Sequence, residues 1–302
     1  MDRIEAMSML IEVADRGGFS AAARSLNVPV TTLTRKISDL ETTIGARLLI
    51  RSTRRIELTD AGATYLSAAR RIIDAVKEAE REAAGEFTVP KGRLVITAPI
   101  QFGQLHVLPV VTDFLARFPQ IDIRLMLQDR NLQLIDDHID MAVRIGRLQD
   151  SSMIATAIGS VRMVVCASPG LLAMHGTPST PQDLARFPAV TIDAPLSQPG
   201  WQFRDPGDRS ILAIPPLTRL SVTTVEAAVR AATRDAGIIR LFHYQVADAV
   251  KAGALSIILE EHETDPFPVN LIHASRGQMP LKMRSFLDFA LPRLRAVFPI
   301  GS

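Results

Sequence analysis

The chain has 302 residues, more than one compact core usually holds, so two or three folding units are expected. With 47% apolar and 22% charged residues the composition is that of a globular protein, and no apolar run approaches the ~20 residues that span a bilayer. The N-terminus has mixed charge and lacks the pattern of a secretion signal, so we predict a cytoplasmic protein with no membrane association.

The cysteine and histidine content argues against most site chemistry. Cys166 is the only cysteine, which excludes an internal disulfide and a thiolate metal cage. It lies in an apolar stretch and is interpreted as a packing residue, with a redox or ligand contact as the alternative. The six histidines do not fall at metal-ligand spacing, and phosphate loops, dinucleotide fingerprints and nucleophile elbows are missing. We therefore predict no catalytic residue, no metal site, no cofactor and no enzymatic activity.

Two short helices are predicted first. Met7, Leu10 and Ala14 recur at helical spacing, and this helix ends at two glycines, residues 17 and 18. Ser20 is expected to be the N-cap of a second helix that ends before Pro29, because proline cannot continue a helix.

A third helix is predicted from about Val30 to Ile44, stopped by Gly45. One stripe of this helix is apolar and contains Leu33, Ile37, Leu40 and Ile44. Another stripe is polar and contains Thr31, Thr34, Arg35 and Ser38. Two short helices with a tight connection indicate a helix-turn-helix, whose second helix reads base edges in the major groove. The alternative is an ordinary solvated helix face.

A basic hairpin follows the third helix. Seven basic residues lie between Arg24 and Arg55 against two acidic ones, although the formal net charge of the chain is only +2. Residues 47–58 are predicted to form two short strands around a turn that carries Arg51, Arg54 and Arg55. Such a wing reaches phosphates or the minor groove beside the recognition helix. Thr59 is expected to cap the next helix.

The first sixty residues resemble the LysR-type transcriptional regulators, in the subgroup with a Thr-Arg-Arg wing. The matching positions are 19–23, Leu26, Arg35, 40–41, 44–45, 47–49, Arg51, 53–55 and 58–62. The resemblance implies a winged helix-turn-helix in which DNA is contacted by Val30, Thr31, Thr34, Arg35 and Arg54. The family commonly begins this helix with Ser and then Pro or Gln, whereas Pro29 and Val30 stand here; Thr31 is a candidate for the missing serine contact.

A long amphipathic helix of ~40 Å is predicted next, within residues 60–88. Its stripe has near-heptad spacing and contains Tyr65, Ala68, Ile72, Val76, Ala79 and Ala83. We interpret the stripe as a homodimer seam, in agreement with the resemblance; packing on its own chain is the alternative. A symmetric dimer predicts an interrupted near-palindromic operator in double-stranded DNA. Whether two dimers pair into a tetramer is left open.

Strands alternate with helices over residues 91–302, which predicts an α/β domain with a largely parallel sheet. The order is similar to the two-lobed periplasmic-binding-protein fold, the regulatory domain of the LysR family. The expected domains are the DNA-binding domain at 1–59 and the linker helix at 60–88, followed by lobe I at 91–161 and 268–302 and lobe II at 162–267. A proline-rich loop is expected at 194–216, and the strand at 269–273 should return to lobe I.

A small-molecule effector is expected in the cleft between the lobes, at the carboxyl ends of the strands. Candidate contacts are Ala98, Pro99, Ile100, Gln101, Phe102, Arg144, Trp201, Thr223 and Thr224. The helix after the first strand offers free amides to an anion, and Arg144 could pair with a carboxylate. Trp201 could stack on a ring, so an organic acid or an aromatic compound is considered. The plainer readings are an N-cap for Thr224, a surface ion pair for Arg144 and a core residue for Trp201.

These observations predict a sequence-specific DNA-binding transcription regulator controlled by a small effector. Cleft closure is expected to change the arrangement of subunits on the operator, and so to affect RNA polymerase indirectly. The rival interpretation is a solute-binding or metabolic α/β protein whose N-terminal helices serve only assembly. Steeply salt-dependent, sequence-specific DNA binding distinguishes the two.

Overall fold

The computed structural model describes residues 2–51, 56–83, 89–130, 134, 137, 139–148, 153–193, 200–274 and 279–298. The side chains of 51, 77–79 and 81–83 are not described. The chain forms two compact units, one of Met1–Gly92 with Pro280–Lys282 and one of Arg93–Met279 with Met283–Ser302. Among the described helices, none is long and apolar enough to cross a bilayer.

Three helices open the first unit: α1 (Arg3–Arg16), α2 (Phe19–Leu26) and α3 (Val30–Ile44). The predicted ends of α1 and α3 are confirmed, because Gly17 and Gly45 both adopt the left-handed conformation that glycine favours, with φ of 67° and 75°. The prediction of Ser20 as an N-cap is wrong. Gly18 occupies the cap position, and Ser20 already lies in the first turn of α2 because the helix includes Phe19.

The apolar side of α3 forms the centre of this unit. Leu33, Ile37 and Leu40 are buried, in a cluster with residues of α1 and α2. Ile44 was predicted on the same stripe, but 39% of it is exposed because the last turn of α3 extends past the helices on which it packs. The buried stripe therefore covers about two turns of the helix rather than about three.

The hairpin and the cap that follow α3 are confirmed. Strands β1 (Leu49–Arg51) and β2 (Ile56–Leu58) pair antiparallel. The Thr59 hydroxyl then accepts a hydrogen bond of 2.8 Å from the backbone N–H of Gly62, at the start of α4 (Asp60–Ala83). A Cβ atom at Gly62 would lie 1.9 Å from the carbonyl oxygen of Leu48, so α4 begins in close contact with the backbone before β1.

One face of helix α4 packs on its own chain. Ala69 and Ile73 are buried in a cluster with Met7 of α1. The predicted dimer stripe lies beside this face, and it is less covered: 41% of Ile72 is exposed, and Tyr65 is half-buried. Of the predicted stripe, Tyr65 also packs against the intrachain clusters, whereas Ile72 is left exposed.

Lobe I of the second unit is a five-stranded sheet in the order β4-β3-β5-β14-β6. Its strands are β3 (Gly92–Ala98), β4 (Ile121–Leu127), β5 (Met141–Ile145), β6 (Met153–Val161) and β14 (Phe267–Ala274). Its helical segments are α5 (Ile100–Phe102), a π-helical turn (Gly103–Val107), α6 (Leu108–Arg117) and α10 (Leu281–Val297). The predicted return to lobe I is confirmed, since β14 pairs with both β5 and β6 and α10 joins the same core. However, β14 runs antiparallel to both neighbours, so only part of the sheet is parallel.

Lobe II is built from short strands and helices. They are β7 (Met163–Ala167), α7 (Pro169–His175), a 3-10 helix (Pro181–Arg186), β8 (Pro188–Ile192), β9 (Trp201–Arg204), β10 (Ile211–Ile214), β11 (Leu217–Val222), α8 (Val225–Ala232), β12 (Ile239–Phe242), α9 (His243–Lys251), β13 (Ser256–Ile258) and a second 3-10 helix (Glu260–His262). β11 pairs parallel with β8, whereas β12 and β13 flank β7 antiparallel.

Two further sequence predictions concern lobe II. The expected proline-rich loop is wrong in part, because β9 and β10 form an antiparallel hairpin within it; 194–199 lie outside the described residues. Cys166 is fully buried, and burial raises the pKa of its thiol to about 12. A thiol with so high a pKa is a poor nucleophile at neutral pH, which agrees with the packing interpretation.

We expect Gly62→Ala to lower the free energy of unfolding by about 1–3 kcal/mol, because a methyl group there overlaps the Leu48 carbonyl. The measurement is urea unfolding followed by far-UV circular dichroism. Gly18→Ala is the matched control, since Gly18 is extended and a Cβ there meets open space. Equal stability of the two variants would contradict the close approach of α4 to Leu48.

Candidate DNA-binding surface and effector cleft

The side of α3 opposite the core carries the residues predicted to contact DNA. Val30 is 43% exposed, and Thr31 and Arg35 are also exposed. Thr34 and Ser38 are half-buried on the same face. The structure therefore presents a polar surface with one arginine near the start of the helix, where a recognition helix meets base edges.

The hydroxyl of Thr34 is already engaged within the helix. It donates a hydrogen bond of 2.8 Å to the carbonyl oxygen of Val30, one turn earlier. The hydroxyl proton is therefore already engaged. The oxygen can still accept a hydrogen bond from a base, and the methyl group can still contact one. This narrows the role predicted for Thr34 to accepting a hydrogen bond or packing against a thymine methyl group.

Glu41 joins the hairpin to α3. Its Oε1 accepts hydrogen bonds from the backbone N–H groups of Leu48 at 2.8 Å and Leu49 at 3.1 Å. A carboxylate accepting two backbone N–H groups is a strong, charge-assisted arrangement. The sequence analysis used Glu41 only as part of a family pattern and missed this positioning role. A carboxylate on the last turn before a predicted hairpin is the signal that could have indicated it.

The basic residues near α3 do not all serve the same surface. Lys36 forms an ion pair with Glu5 of α1, so its charge links two helices of the domain. Arg35, the preceding residue, is exposed on the side predicted to face DNA. The predicted wing residues Arg54 and Arg55, and the side chain of Arg51, lie outside the described residues.

The start of α5 differs from the prediction of free amides. The first N–H of the helix, at Ile100, donates a hydrogen bond of 3.0 Å to Oδ1 of Asp129. Asp129 follows β4, whose end lies beside the end of β3, because the N–H of Gln128 donates to the carbonyl oxygen of Ala98 at 3.0 Å. The protein's own carboxylate therefore occupies the position that we had assigned to an anionic effector.

The candidate residues after β3 differ in accessibility. Ala98 and Phe102 are fully buried in this arrangement, and their contact with an effector stays a prediction. Ile100 is 40% exposed, and Pro99 and Gln101 are half-buried. The exposed edge at this strand end is thus apolar at Ile100 and uncharged at Gln101.

Thr224 matches its plainer reading as an N-cap, whereas Arg144 is buried rather than at the surface and Trp201 is half-buried. Thr224 is the N-cap of α8 and accepts a hydrogen bond from the N–H of Ala227 at 3.3 Å, while Thr223 is exposed. Arg144 is only 9% exposed and already interacts within the protein, and burial lowers its pKa. Trp201 packs half-buried on an apolar cluster of lobe II that includes Phe187. Trp201 lies on β9 of lobe II, and Arg144 lies on β5 of lobe I.

An aromatic cluster connects the two lobes, and the sequence analysis did not find it. The ring of Tyr244 on α9 lies 5.5 Å from Phe102 and 5.8 Å from His106, edge-on to both. His106 also lies 4.6 Å from Phe298 of the C-terminal segment. Burial lowers the pKa of His106 and raises that of Tyr244, so both side chains are neutral at pH 7. These residues are far apart in the chain, which is why no local pattern indicated them.

Fold and site together define a transcription regulator with a helix-turn-helix and a two-lobed effector-binding domain. Residues 4–63 match the model of the bacterial regulatory helix-turn-helix protein, lysR family, and residues 88–295 match the LysR substrate binding domain. The chain belongs to the LysR family of transcriptional regulators.

Relatives of similar length support this assignment. The chain is 30% identical to the probable HTH-type transcriptional regulator LtrA of Klebsiella pneumoniae, over 96% of this chain and 95% of that one. It is also 30% identical to the HTH-type transcriptional activator AaeR of Escherichia coli, over 95% and 93%. Among solved structures, CrgA from Neisseria meningitidis, a LysR-type transcriptional regulator, matches with a TM-score of 0.60 at 30% identity, covering 96% of this chain and 98% of that one.

We expect Glu41→Ala to weaken binding to the operator by about tenfold, because the hairpin loses its tie to α3. The measurement is fluorescence anisotropy with labelled operator DNA at fixed salt. Asp39→Ala is the matched control, since it removes the same charge from an exposed position of α3. Loss of a negative charge alone should tighten DNA binding, so tighter binding by both variants would contradict the role of Glu41.

Proposed function

We propose that the chain reads double-stranded DNA with Val30, Thr31, Thr34, Arg35 and Ser38 of α3 and grips the phosphates with Arg51, Arg54 and Arg55 of the hairpin. The single observation behind this proposal is the outward polar face of α3 beside a hairpin fixed by Glu41. Short hydroxyl side chains and one arginine suit base edges, and a basic hairpin suits the phosphate backbone.

We further propose the domain limits 1–59, 60–88 and 91–302, with lobe I at 91–161 and 268–302 and lobe II at 162–267. The supporting observation is that β6 and β14 both belong to the sheet of lobe I, so the chain crosses between the lobes beside these strands. Where the chain crosses between two lobes at two neighbouring places, the cleft between the lobes can open and close with little change inside either lobe.

The linker helix α4 is proposed to form the seam of a homodimer. Its intrachain contact uses Ala69 and Ile73, which leaves the neighbouring stripe at Ile72 exposed. A dimer places two recognition helices on an interrupted near-palindromic operator. Pairing of two dimers into a tetramer belongs to the same proposal.

An effector bound between the lobes is proposed to change the arrangement of the subunits, and thereby the access of RNA polymerase to the promoter. The ligand can shift that equilibrium only by its difference in affinity for the two arrangements. The relatives' role in transcription supports action on DNA in the cytoplasm without enzymatic activity. Among the described residues, no three His, Cys, Asp or Glu side chains come together to hold a metal ion.

We expect Arg35→Ala to weaken operator binding by about 1–3 kcal/mol and to reduce discrimination against a scrambled site. Lys36→Ala is the matched control: it removes the same charge one residue away, but from an ion pair with Glu5. Anisotropy titrations with both DNA sequences at several salt concentrations give affinity and discrimination. Equal losses of discrimination in the two variants would contradict the assignment of α3 as the recognition helix.

We expect Ile72→Glu to shift the protein from dimer to monomer at micromolar concentration, because a charge placed in an apolar seam is costly. Sedimentation velocity of the full chain measures the change. Ala63→Glu serves as the control, since Ala63 is exposed on the opposite side of α4. A dimer that persists in the Ile72→Glu variant would show that the dimer interface lies elsewhere.

A further inference from the structure

The helix that begins with α5 already has an anion at its start. The N–H of Ile100 donates to the carboxylate of Asp129, and Pro99, the residue before the helix, has neither an N–H nor a hydroxyl to offer. The partial positive charge of a helix N-terminus favours one nearby anion, and here that anion belongs to the protein. A carboxylate effector would have to displace Asp129 or approach it against charge repulsion.

One cationic side chain lies next to Asp129 in the chain. Arg130 is the residue after Asp129, and its Nε donates a hydrogen bond of 3.0 Å to Oε1 of Gln128. The negative charge of Asp129 also reaches lobe II, where it adds to the effect of burial in raising the pKa of Tyr244. The negative charge of Asp129 thus acts on groups of both lobes at this strand end, which disfavours an incoming anion.

Uncharged polar atoms at the same edge are without partners. Oε1 of Gln101, an acceptor, and Nε2 of Gln128, a donor, are both buried, and neither has a hydrogen-bond partner among the described residues. Buried polar groups normally pair, so these two amides need one donor and one acceptor from elsewhere. Nearby, the rings of Phe242 and Tyr244 are stacked with centroids 5.9 Å apart and planes 11° apart, and Tyr244 contacts Phe102 of α5.

We infer that the effector of this chain is an uncharged ring compound carrying both a hydrogen-bond donor and an acceptor, not a carboxylate. Its donor binds Oε1 of Gln101, its acceptor binds Nε2 of Gln128, and its ring packs beside Phe242 and Tyr244. Both amide atoms are closed to solvent, so the lobes part or the two side chains turn before the ligand binds. This inference rests on the proposed function, because it assigns the chemistry of the proposed effector cleft.

The test compares each neutral amide with the acid of the same ring: benzamide with benzoate, nicotinamide with nicotinate, and phenylacetamide with phenylacetate. Binding to the full-length protein is measured by thermal shift and isothermal titration calorimetry. We expect the amide of at least one pair to bind about tenfold tighter than its acid. Gln101→Leu and Gln128→Leu should each weaken the binding of that amide while leaving the binding of its acid unchanged.

Asp129→Asn separates charge from capping, because the asparagine oxygen still accepts the Ile100 N–H. We expect this variant to bind the acids about tenfold better than wild type does. Asp122→Asn is the control, since Asp122 is an exposed aspartate near the start of β4, the strand that precedes Asp129. Acids preferred by wild type, no binding by any of the six compounds, or an equal gain in both variants would overturn the inference.

The same preparations are titrated with operator and scrambled DNA. Specific, salt-sensitive DNA binding together with a preference for acids would overturn the inference and leave the regulator function intact. Loss of specific DNA binding by wild type would instead contradict the proposed function itself. The two failures are thus read from different measurements.

Discussion

Packing of Leu33, Ile37 and Leu40 against α1 and α2 fixes the rotation of α3 about its own axis. A helix turned by one residue, about 100°, would bring its polar stripe into the core, where unpaired polar groups are costly. The same three side chains therefore decide that Thr31 and Arg35 face outward. Every contact proposed between α3 and DNA depends on this rotation.

Rotation alone does not place the hairpin, and here Glu41 matters. It stands one turn after Ile37 on the helix whose rotation the core has fixed, so its carboxylate meets the two N–H groups at the start of β1. Close contact of Gly62 with the Leu48 carbonyl holds the same segment from the other side. Recognition helix, hairpin and α4 are thus joined at residues 48–49, and a movement of α4 reaches the hairpin directly.

The parts of the fold that local patterns control could be predicted from the sequence. Gly17 and Gly45 ended helices as expected, since only the neighbouring residues and the left-handed conformation are involved. The N-cap at Ser20 failed because Phe19 continues the helix backwards by one residue, a choice that tertiary packing makes. The β9–β10 hairpin was missed because glycines and prolines around it read as a loop.

The sequence predicted an effector cleft between the lobes but not the contacts that the structure shows there. Its decisive contacts join residues far apart in the chain: Asp129 with Ile100, and Tyr244 with Phe102 and His106. No periodicity marks such pairs, and a single sequence contains no covariation. The difficulty has a physical cause. A helix N-terminus looks like an anion site in any sequence, and only the three-dimensional neighbour shows whether the site is open or already filled. In this chain the carboxylate of Asp129 already accepts a hydrogen bond at that helix N-terminus. An effector recognised by hydrogen bonds and ring stacking therefore fits better than one recognised by negative charge.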